Sequence, residues 1–204
     1  FEQRSRAFVQ IQNGCDAFCS YCIIPYARGR SRSVEMDDVV KQVEKLTRSS
    51  HAEVVLTGIH IGNYGQDLSP ALSLFGLLKE IRAKTSVQRL RLGSIEPTEI
   101  SLELREYVAA ADWICPHYHI PLQSGDDEIL KQMNRHSGTE FFAGLVKDIR
   151  KRQPHAAIGL DLIVGFPGET DDSFNRTYEF IRSLPITHLH VFPYSRRPGT
   201  PAAE

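Results

Sequence analysis

Short apolar runs alternate along the chain with longer stretches of helical period, and the alternation recurs about every 30 residues, the size of one strand-plus-helix unit. Six runs read as strands: Ala7–Gln12, Glu53–Thr57, Gln88–Leu92, His117–Leu122, Ile158–Val164 and His188–Phe192. Each is followed by Gly, Pro, Ser or Asp, which punctuate regular structure. Between them Met36, Val39, Val40 and Val43 fall at i, i+3, i+4 and i+7, as do Leu74, Leu77, Leu78 and Ile81, and Phe142, Leu145, Val146 and Ile149. That spacing lays an apolar stripe along one helix face. Helix starts are expected at Ser69 before Pro70, at Ser101, and at Thr170 before Asp171 and Asp172. A hydroxyl there accepts orphan N–H groups, and acids suit the positive end of the helix dipole.

Repeated βα units with right-handed crossovers make parallel strands, in an open doubly wound sheet or in a barrel. A parallel sheet covered on both faces has nearly continuous apolar strands. Here Gln10 and Gln12, Arg89 and Arg91, His117 and His119, and His188 and His190 are polar pairs two apart, each on one strand face, and Asp161 interrupts the fifth strand. Their coincidence favours an α/β barrel, complete or partial, with a polar interior that holds a ligand. No long linker or low-complexity segment divides the chain, so residues 1–204 are expected to form one domain.

Composition adds exclusions. With 24 Lys+Arg, 25 Asp+Glu and 41% hydrophobic residues the chain is an ordinary folded protein, not a disordered or fibrous one. A formal net charge of −1 gives it little pull on a polyanion by itself, so action on a nucleic acid would need help from elsewhere. Without a run of about 18 apolar residues or a secretion signal, a cytoplasmic protein with no membrane partner is expected. The first residue is Phe1, and Met36 and Met133 lie inside periodic segments, so a piece of a longer chain is expected. Four cysteines are too sparse for a disulfide scaffold, yet Cys15, Cys19 and Cys22 crowd together, which suggests metal.

The run Cys15-Asp-Ala-Phe-Cys19-Ser-Tyr-Cys22 lies just after the first strand, where a βα loop meets the active face of a βα barrel. A structural zinc is one reading, making the chain a tRNA- or protein-binding scaffold. Zinc wants four ligands, however, and the next cysteine, Cys115, is far along the chain and reads as a buried small hydrophobe. A 4Fe-4S cluster held by three cysteines is the other reading; it leaves one iron open to a small molecule. His51, His60 and His155 read as structural, since no paired ligands accompany them.

The C-x3-C-x2-C spacing, with Tyr21 before the third cysteine and repeated βα units around it, resembles the radical S-adenosylmethionine (SAM) superfamily. That resemblance implies a partial (β/α)6 barrel of parallel strands, a 4Fe-4S cluster whose open iron chelates SAM, and reductive cleavage of SAM to a 5′-deoxyadenosyl radical by an external electron donor. Further stretches resemble the methylthiotransferases: Ile23-Ile-Pro-Tyr-Ala-Arg-Gly-Arg-Ser-Arg-Ser33, Leu56-Thr-Gly-Ile-His-Ile-Gly-Asn-Tyr-Gly65, His119-Ile-Pro-Leu-Gln-Ser-Gly125 and Phe192-Pro-Tyr-Ser-Arg-Arg-Pro-Gly-Thr-Pro-Ala202. Ser94-Ile-Glu-Pro97 is similar to the branch that modifies N6-threonylcarbamoyladenosine in tRNA, where the isopentenyladenosine branch typically has Ser-His-Pro, and Gln123-Ser-Gly125 differs from the branch that modifies a ribosomal protein.

The likeness implies ligands as well. Thr57 and Gly58 are expected at the methionyl amino group, although a Gly-Gly-Glu sequence is lacking; Glu96 and Asp161 at the ribose; Gln123 and Ser124 beside the nucleoside; Arg135 on the SAM carboxylate. Val164, in Val-Gly-Phe-Pro-Gly-Glu, is expected on the adenine side, flanked by Tyr21 and Phe192. Arg28, Arg30, Arg32, Arg196 and Arg197 are candidates for tRNA phosphates. The whole enzyme is expected to be a monomer with an N-terminal domain carrying a second, auxiliary 4Fe-4S cluster and a C-terminal RNA-binding domain, both outside this chain. The radical would take hydrogen from adenine C2, and the chain alone is expected not to complete methylthiolation.

Overall fold

Residues 5–49 and 51–204 are described by the computed structural model; Phe1 lies outside them. The chain runs β1 (Arg6–Gln10), β2 (Gln12–Asn13), α1 (Ile24–Arg28), β3 (Arg32–Ser33), α2 (Met36–Arg48), β4 (Glu53–Thr57), α3 (Leu74–Lys84) and β5 (Leu90–Leu92). It continues through α4 (Leu102–Ala110), β6 (His117–Gln123), α5 (Asp127–Gln132), α6 (Thr139–Arg152), β7 (Ala157–Val164), α7 (Asp171–Arg182) and β8 (His188–Pro193).

Parallel pairing runs β1–β4–β5 and β6–β7–β8. Single parallel bridges from Leu90 to Ile114 and from Ser94 to His119 join the two sets. Six parallel strands therefore follow one another in chain order, with β1 and β8 each paired on one side only: a partial barrel, as expected. The arrangement follows from the βα repeat, because each crossover helix must cover the strands it connects. Val39, Val40 and Val43 of α2, Leu77, Leu78 and Ile81 of α3, and Phe142, Val146 and Ile149 of α6 are buried on one core with Val54, Leu56, Leu90, Ile120 and Leu160 of the strands. Each such side chain contributes about 1.5–3 kcal/mol on burial. No helix among the described residues is long and apolar enough to cross a membrane.

Two expected helix starts hold. Ser101 Oγ accepts from Leu104 N at 3.1 Å, and Thr170 and Ser173 cap one another's N–H groups. The third moves: Ser73, not Ser69, caps α3 through Gly76 N at 3.0 Å. Ser69 and Pro70 lie in the preceding loop, which closes through Leu72 N on Gly65 O at 2.9 Å. The first strand is also shorter than expected. β1 stops at Gln10, and Gln12–Asn13 pairs antiparallel with Arg32–Ser33. The break separates the first polar pair, since Gln10 is exposed while Gln12 is wholly buried. Gln12 Nε2 reaches Gly14 O at 2.7 Å and Ser31 Oγ at 2.9 Å, and its Oε1 accepts from His60 N at 2.8 Å.

Candidate active site

The cysteine loop follows β2 and is pinned on two sides. Cys15 N donates to Gly29 O at 3.1 Å, while Ser20 N and Oγ donate to Met133 O and Gln132 O at 3.0 and 2.7 Å. Asn134 Nδ2 adds a bond to Phe18 O at 3.0 Å. Three non-glycine residues among those described take positive φ: Phe18 at 47°, Gln123 at 75° and Asn134 at 56°. Backbone strain of this kind persists only where surrounding contacts over-determine it, and here it falls in and around the cysteine loop.

Cys15 Sγ lies 3.4 Å from both Ala17 N and His60 Nδ1, and Cys19 Sγ lies 4.0 Å from Arg135 Nη1. Burial pushes the Cys22 thiol pKa up, partly offset by the Ile24 N–H, and the other two cysteines push it further. The three sulfurs do not all lie within 4.8 Å of one another, whereas the ligand atoms of His119, Asp161 and His190 do. Thiolates on one tetrahedral zinc would sit ~3.8 Å apart, given Zn–S of ~2.3 Å. Thiolates on separate irons of a cluster are spread wider, so the residues present fit the 4Fe-4S reading better than the zinc reading.

A cavity of about 280 Å³ opens beside Cys19, with Glu96, Arg135, His60, Glu99 and Asn63 in its wall. Arg135, whose side chain is 5% exposed, forks onto Glu96 at 2.8 and 2.5 Å and donates to Pro121 O at 2.8 Å. Its Nε is buried without a partner. Glu99 Oε1 lies 2.6 Å from His60 Nε2, and its Oε2 is likewise buried and unpartnered. One wall thus holds an unused cationic donor and an unused carboxylate oxygen, a pattern that costs stability unless a ligand completes it.

A second cavity, about 210 Å³, is lined by Tyr21, Gln123, Asp161, Phe192, Tyr194 and Arg197. Tyr21 stands between the two: it lines the second cavity, and its ionisation is pushed far up by burial and by Cys19 of the first. Asp161 projects inside the barrel between His119 Nε2 at 2.8 Å and His190 Nδ1 at 3.3 Å. Burial raises its pKa, but the hydrogen bonds and charge of these histidines outweigh that and lower it. Below them His117 stacks on His188 with ring centres 6.1 Å apart, and burial together with Arg91 and the other histidines pulls His117 down to about 4.

The structure therefore brings Cys19, Glu96 and Arg135 to one cavity and Tyr21, Gln123, Asp161 and Phe192 to the other. Four expected ligands lie elsewhere. Thr57 Oγ1 reaches back to Val9 O at 3.4 Å, a side chain at Gly58 would strike Ile61 and Gln12, and neither residue lines these two cavities. Ser124 is buried against Thr177 Oγ1 at 3.2 Å, and the Val164 side chain faces an apolar outer groove with Phe174 and Tyr178. Of the arginines, Arg28 and Arg30 are exposed, Arg32 folds onto Arg28 O and Arg30 O at 2.9 and 3.1 Å, and Arg196 donates to Ala203 O at 2.8 Å. Arg197 lines the second cavity. His60 is the residue that spacing alone conceals. Its partners Cys15 and Glu99 come from other parts of the chain, and only the Gly-Ile-His-Ile-Gly stretch, with glycines permitting close approach, hinted at a crowded turn.

The sequence profile described as "Radical SAM superfamily" matches residues 9–181. Among curated proteins, the chain is 46% identical over 204 residues to the threonylcarbamoyladenosine tRNA methylthiotransferase MtaB of Bacillus subtilis, covering 100% of this chain and 45% of that one. It is 40% identical over 198 residues to the tRNA-2-methylthio-N(6)-dimethylallyladenosine synthase of Clostridium tetani, covering 97% of this chain and 44% of that one. The chain thus spans less than half the length of these relatives. In fold it is similar to the radical SAM methyltransferase TsrM of Kitasatospora setae, with a TM-score of 0.80 at 22% identity over 100% of this chain and 39% of that one. Coproporphyrinogen III oxidase of Escherichia coli gives a TM-score of 0.66 at 20% identity over 100% of this chain and 47% of that one. With the profile covering most of its length and three cysteines at the mouth of a six-stranded partial barrel, the chain belongs to the radical SAM superfamily.

Proposed function

We propose that this chain is the radical-generating core of a cytoplasmic enzyme that adds a 2-methylthio group to N6-threonylcarbamoyladenosine in tRNA. One observation carries the cofactor half of this reading: Arg135 and Glu99, each of which keeps a buried polar atom without a partner (Nε and Oε2), line the same cavity as Cys19. A donor and an acceptor of opposite charge beside a metal-binding cysteine suit the carboxylate and ammonium of an amino acid, as in SAM. Cys15, Cys19 and Cys22 would hold the 4Fe-4S cluster. When bound, the cluster and SAM supply a 5′-deoxyadenosyl radical able to take hydrogen from adenine C2. Arg135 binds the carboxylate and Glu96 fixes its fork; Glu99 takes the place at the ammonium first expected of Thr57 and Gly58. Tyr21 and Phe192 wall the second cavity, and Gln123 and Asp161 present hydrogen-bonding groups to the nucleoside, so that radical and target meet with water excluded.

The lining of that second cavity favours the threonylcarbamoyl substrate. Arg197 and Ser195, which the nucleoside does not use, can pair a carboxylate and a hydroxyl, whereas an isopentenyl chain would leave them unpaired. The exposed Arg28 and Arg30 would meet tRNA phosphates. Flanking domains would supply the auxiliary cluster and most RNA affinity, with an external electron donor reducing the core cluster and the enzyme acting as a monomer.

The test has two arms. Anaerobically reconstituted full-length protein should release 5′-deoxyadenosine from SAM. Cells lacking the gene should lose methylthiolated threonylcarbamoyladenosine from their tRNA and keep the isopentenyladenosine derivative, measured by nucleoside mass spectrometry. The reverse loss assigns the isopentenyladenosine substrate instead.

A further inference from the structure

Resting on the reading that Cys15 ligates the core cluster, we infer that His60 is a positioning residue which donates a hydrogen bond to the Cys15 sulfur, is held there by Glu99, and makes the cluster easier to reduce. The imidazole is 13% exposed and stands between two acceptors, with Nδ1 3.4 Å from Cys15 Sγ and Nε2 2.6 Å from Glu99 Oε1. Nδ1, when it carries the ring hydrogen, donates to the sulfur, while Nε2 is buried against Glu99 Oε1 without an aligned hydrogen bond, so the carboxylate holds the ring by contact. A hydrogen bond to a cluster sulfur stabilises the reduced, more negative state, and such bonds are among the terms that set cluster potentials.

Independent features hold the contact in place. The backbone N–H of His60 is bonded to Oε1 of the wholly buried Gln12 at 2.8 Å, and the same Gln12 amide holds Gly14 O at 2.7 Å, next to Cys15. One side chain therefore sets the separation of the histidine from the cysteine. Behind Glu99, Gly62 leaves the space the carboxylate occupies; a Cβ there would lie 1.9 Å from Glu99 Oε2. That Oε2 is the unpartnered oxygen assigned above to the SAM ammonium. The series ammonium, Glu99, His60, Cys15 thus ties occupation of the cofactor cavity to the electronic state of the cluster.

The full-length protein, reconstituted anaerobically, is titrated with a reductant of known potential and followed by electron paramagnetic resonance, with iron content measured in parallel. His60→Leu should bind wild-type iron yet show about a tenfold smaller equilibrium constant for reduction, a midpoint more negative by about 59 mV for one electron. His60→Asn, whose Nδ2 can replace Nδ1 as donor to Cys15 without reaching Glu99, should recover most of that shift. It should also lose the change in midpoint that SAM produces in the wild type, as should Glu99→Gln. A His60→Leu cluster with unchanged midpoint overturns the inference while leaving the cluster reading intact. Wild-type protein that binds no iron overturns both. If His60→Leu does not assemble, His60→Asn decides: a midpoint close to wild type that no longer responds to SAM supports the relay, and a wild-type SAM response, or a midpoint far below wild type, overturns it.

Discussion

At the scale of single residues, Arg135 shows how a likeness and a structure differ in what they reveal. Its type and place mark it for the SAM carboxylate, but its fork is already engaged by Glu96, so recognition falls to the unpartnered Nε or to an exchange of partners. Arg135→Lys keeps the charge and loses both the fork and Nε. A charge-assisted hydrogen bond is worth about 1.5–3 kcal/mol, so SAM should bind roughly ten- to hundredfold more weakly by anaerobic calorimetry. Unchanged affinity would remove Arg135 from the cofactor cavity. The alternatives at Cys15, Cys19 and Cys22 are of the same kind: sequence spacing left zinc and iron both open, while sulfurs spread beyond the reach of one ion favour the cluster.

At the scale of elements, Glu53 at the start of β4 collects Arg6 of β1 at 2.8 Å and Arg89 and Arg91, before and within β5, at 2.6 and 2.7 Å. Two of these cations are about half exposed and are served by water, so Arg91, 19% exposed, carries most of the cost of losing the acid. Glu53→Gln should lower the free energy of unfolding by about 2–3 kcal/mol in urea titration. The strands and long helices were legible because hydrophobic period encodes them locally: Leu74, Leu77, Leu78 and Ile81 bury as their spacing demands. Asp127–Gln132 was missed because a helix of 6 residues is too short for period to show, and it rests on Asp126 Oδ1 accepting from Ile129 N at 3.0 Å. Apart from the first, split between exposed Gln10 and buried Gln12, the polar pairs announced an interior that is not a sheet core, yet their partners were hidden. Glu53 lies 36 residues from Arg89, and His119 lies 42 from Asp161, distances over which no sequence period operates.

For the whole molecule, the same interior groups set an acid limit. Burial raises the Glu53 pKa, but hydrogen bonds from Arg91 and Arg89 and the nearby charges bring it from the ordinary 4.5 down to about 2. Its contribution is full above about pH 4.5 and fades as pH falls toward 2. His117 is lowered from 6.5 to about 4, chiefly by burial, so its contribution is full above pH 6.5 and fades toward pH 4. Unfolding free energy should therefore rise with pH across both windows, by about 2–3 kcal/mol in each. His117→Asn should flatten the upper window and Glu53→Gln the lower in chemical denaturation measured at stepped pH; a flat wild-type profile would contradict both assignments. One bond reaches further than its neighbours suggest. Ala202 N is bonded to Ser20 O at 2.9 Å, and Tyr194 OH to Ala202 O at 2.6 Å, so the segment after β8 fastens across to the thiol-bearing loop behind β2. An arc whose outermost described strands are each paired on one side only has been given a clasp, and a protease nicking the segment after β8 would loosen the cysteine loop from a point far away in the sequence.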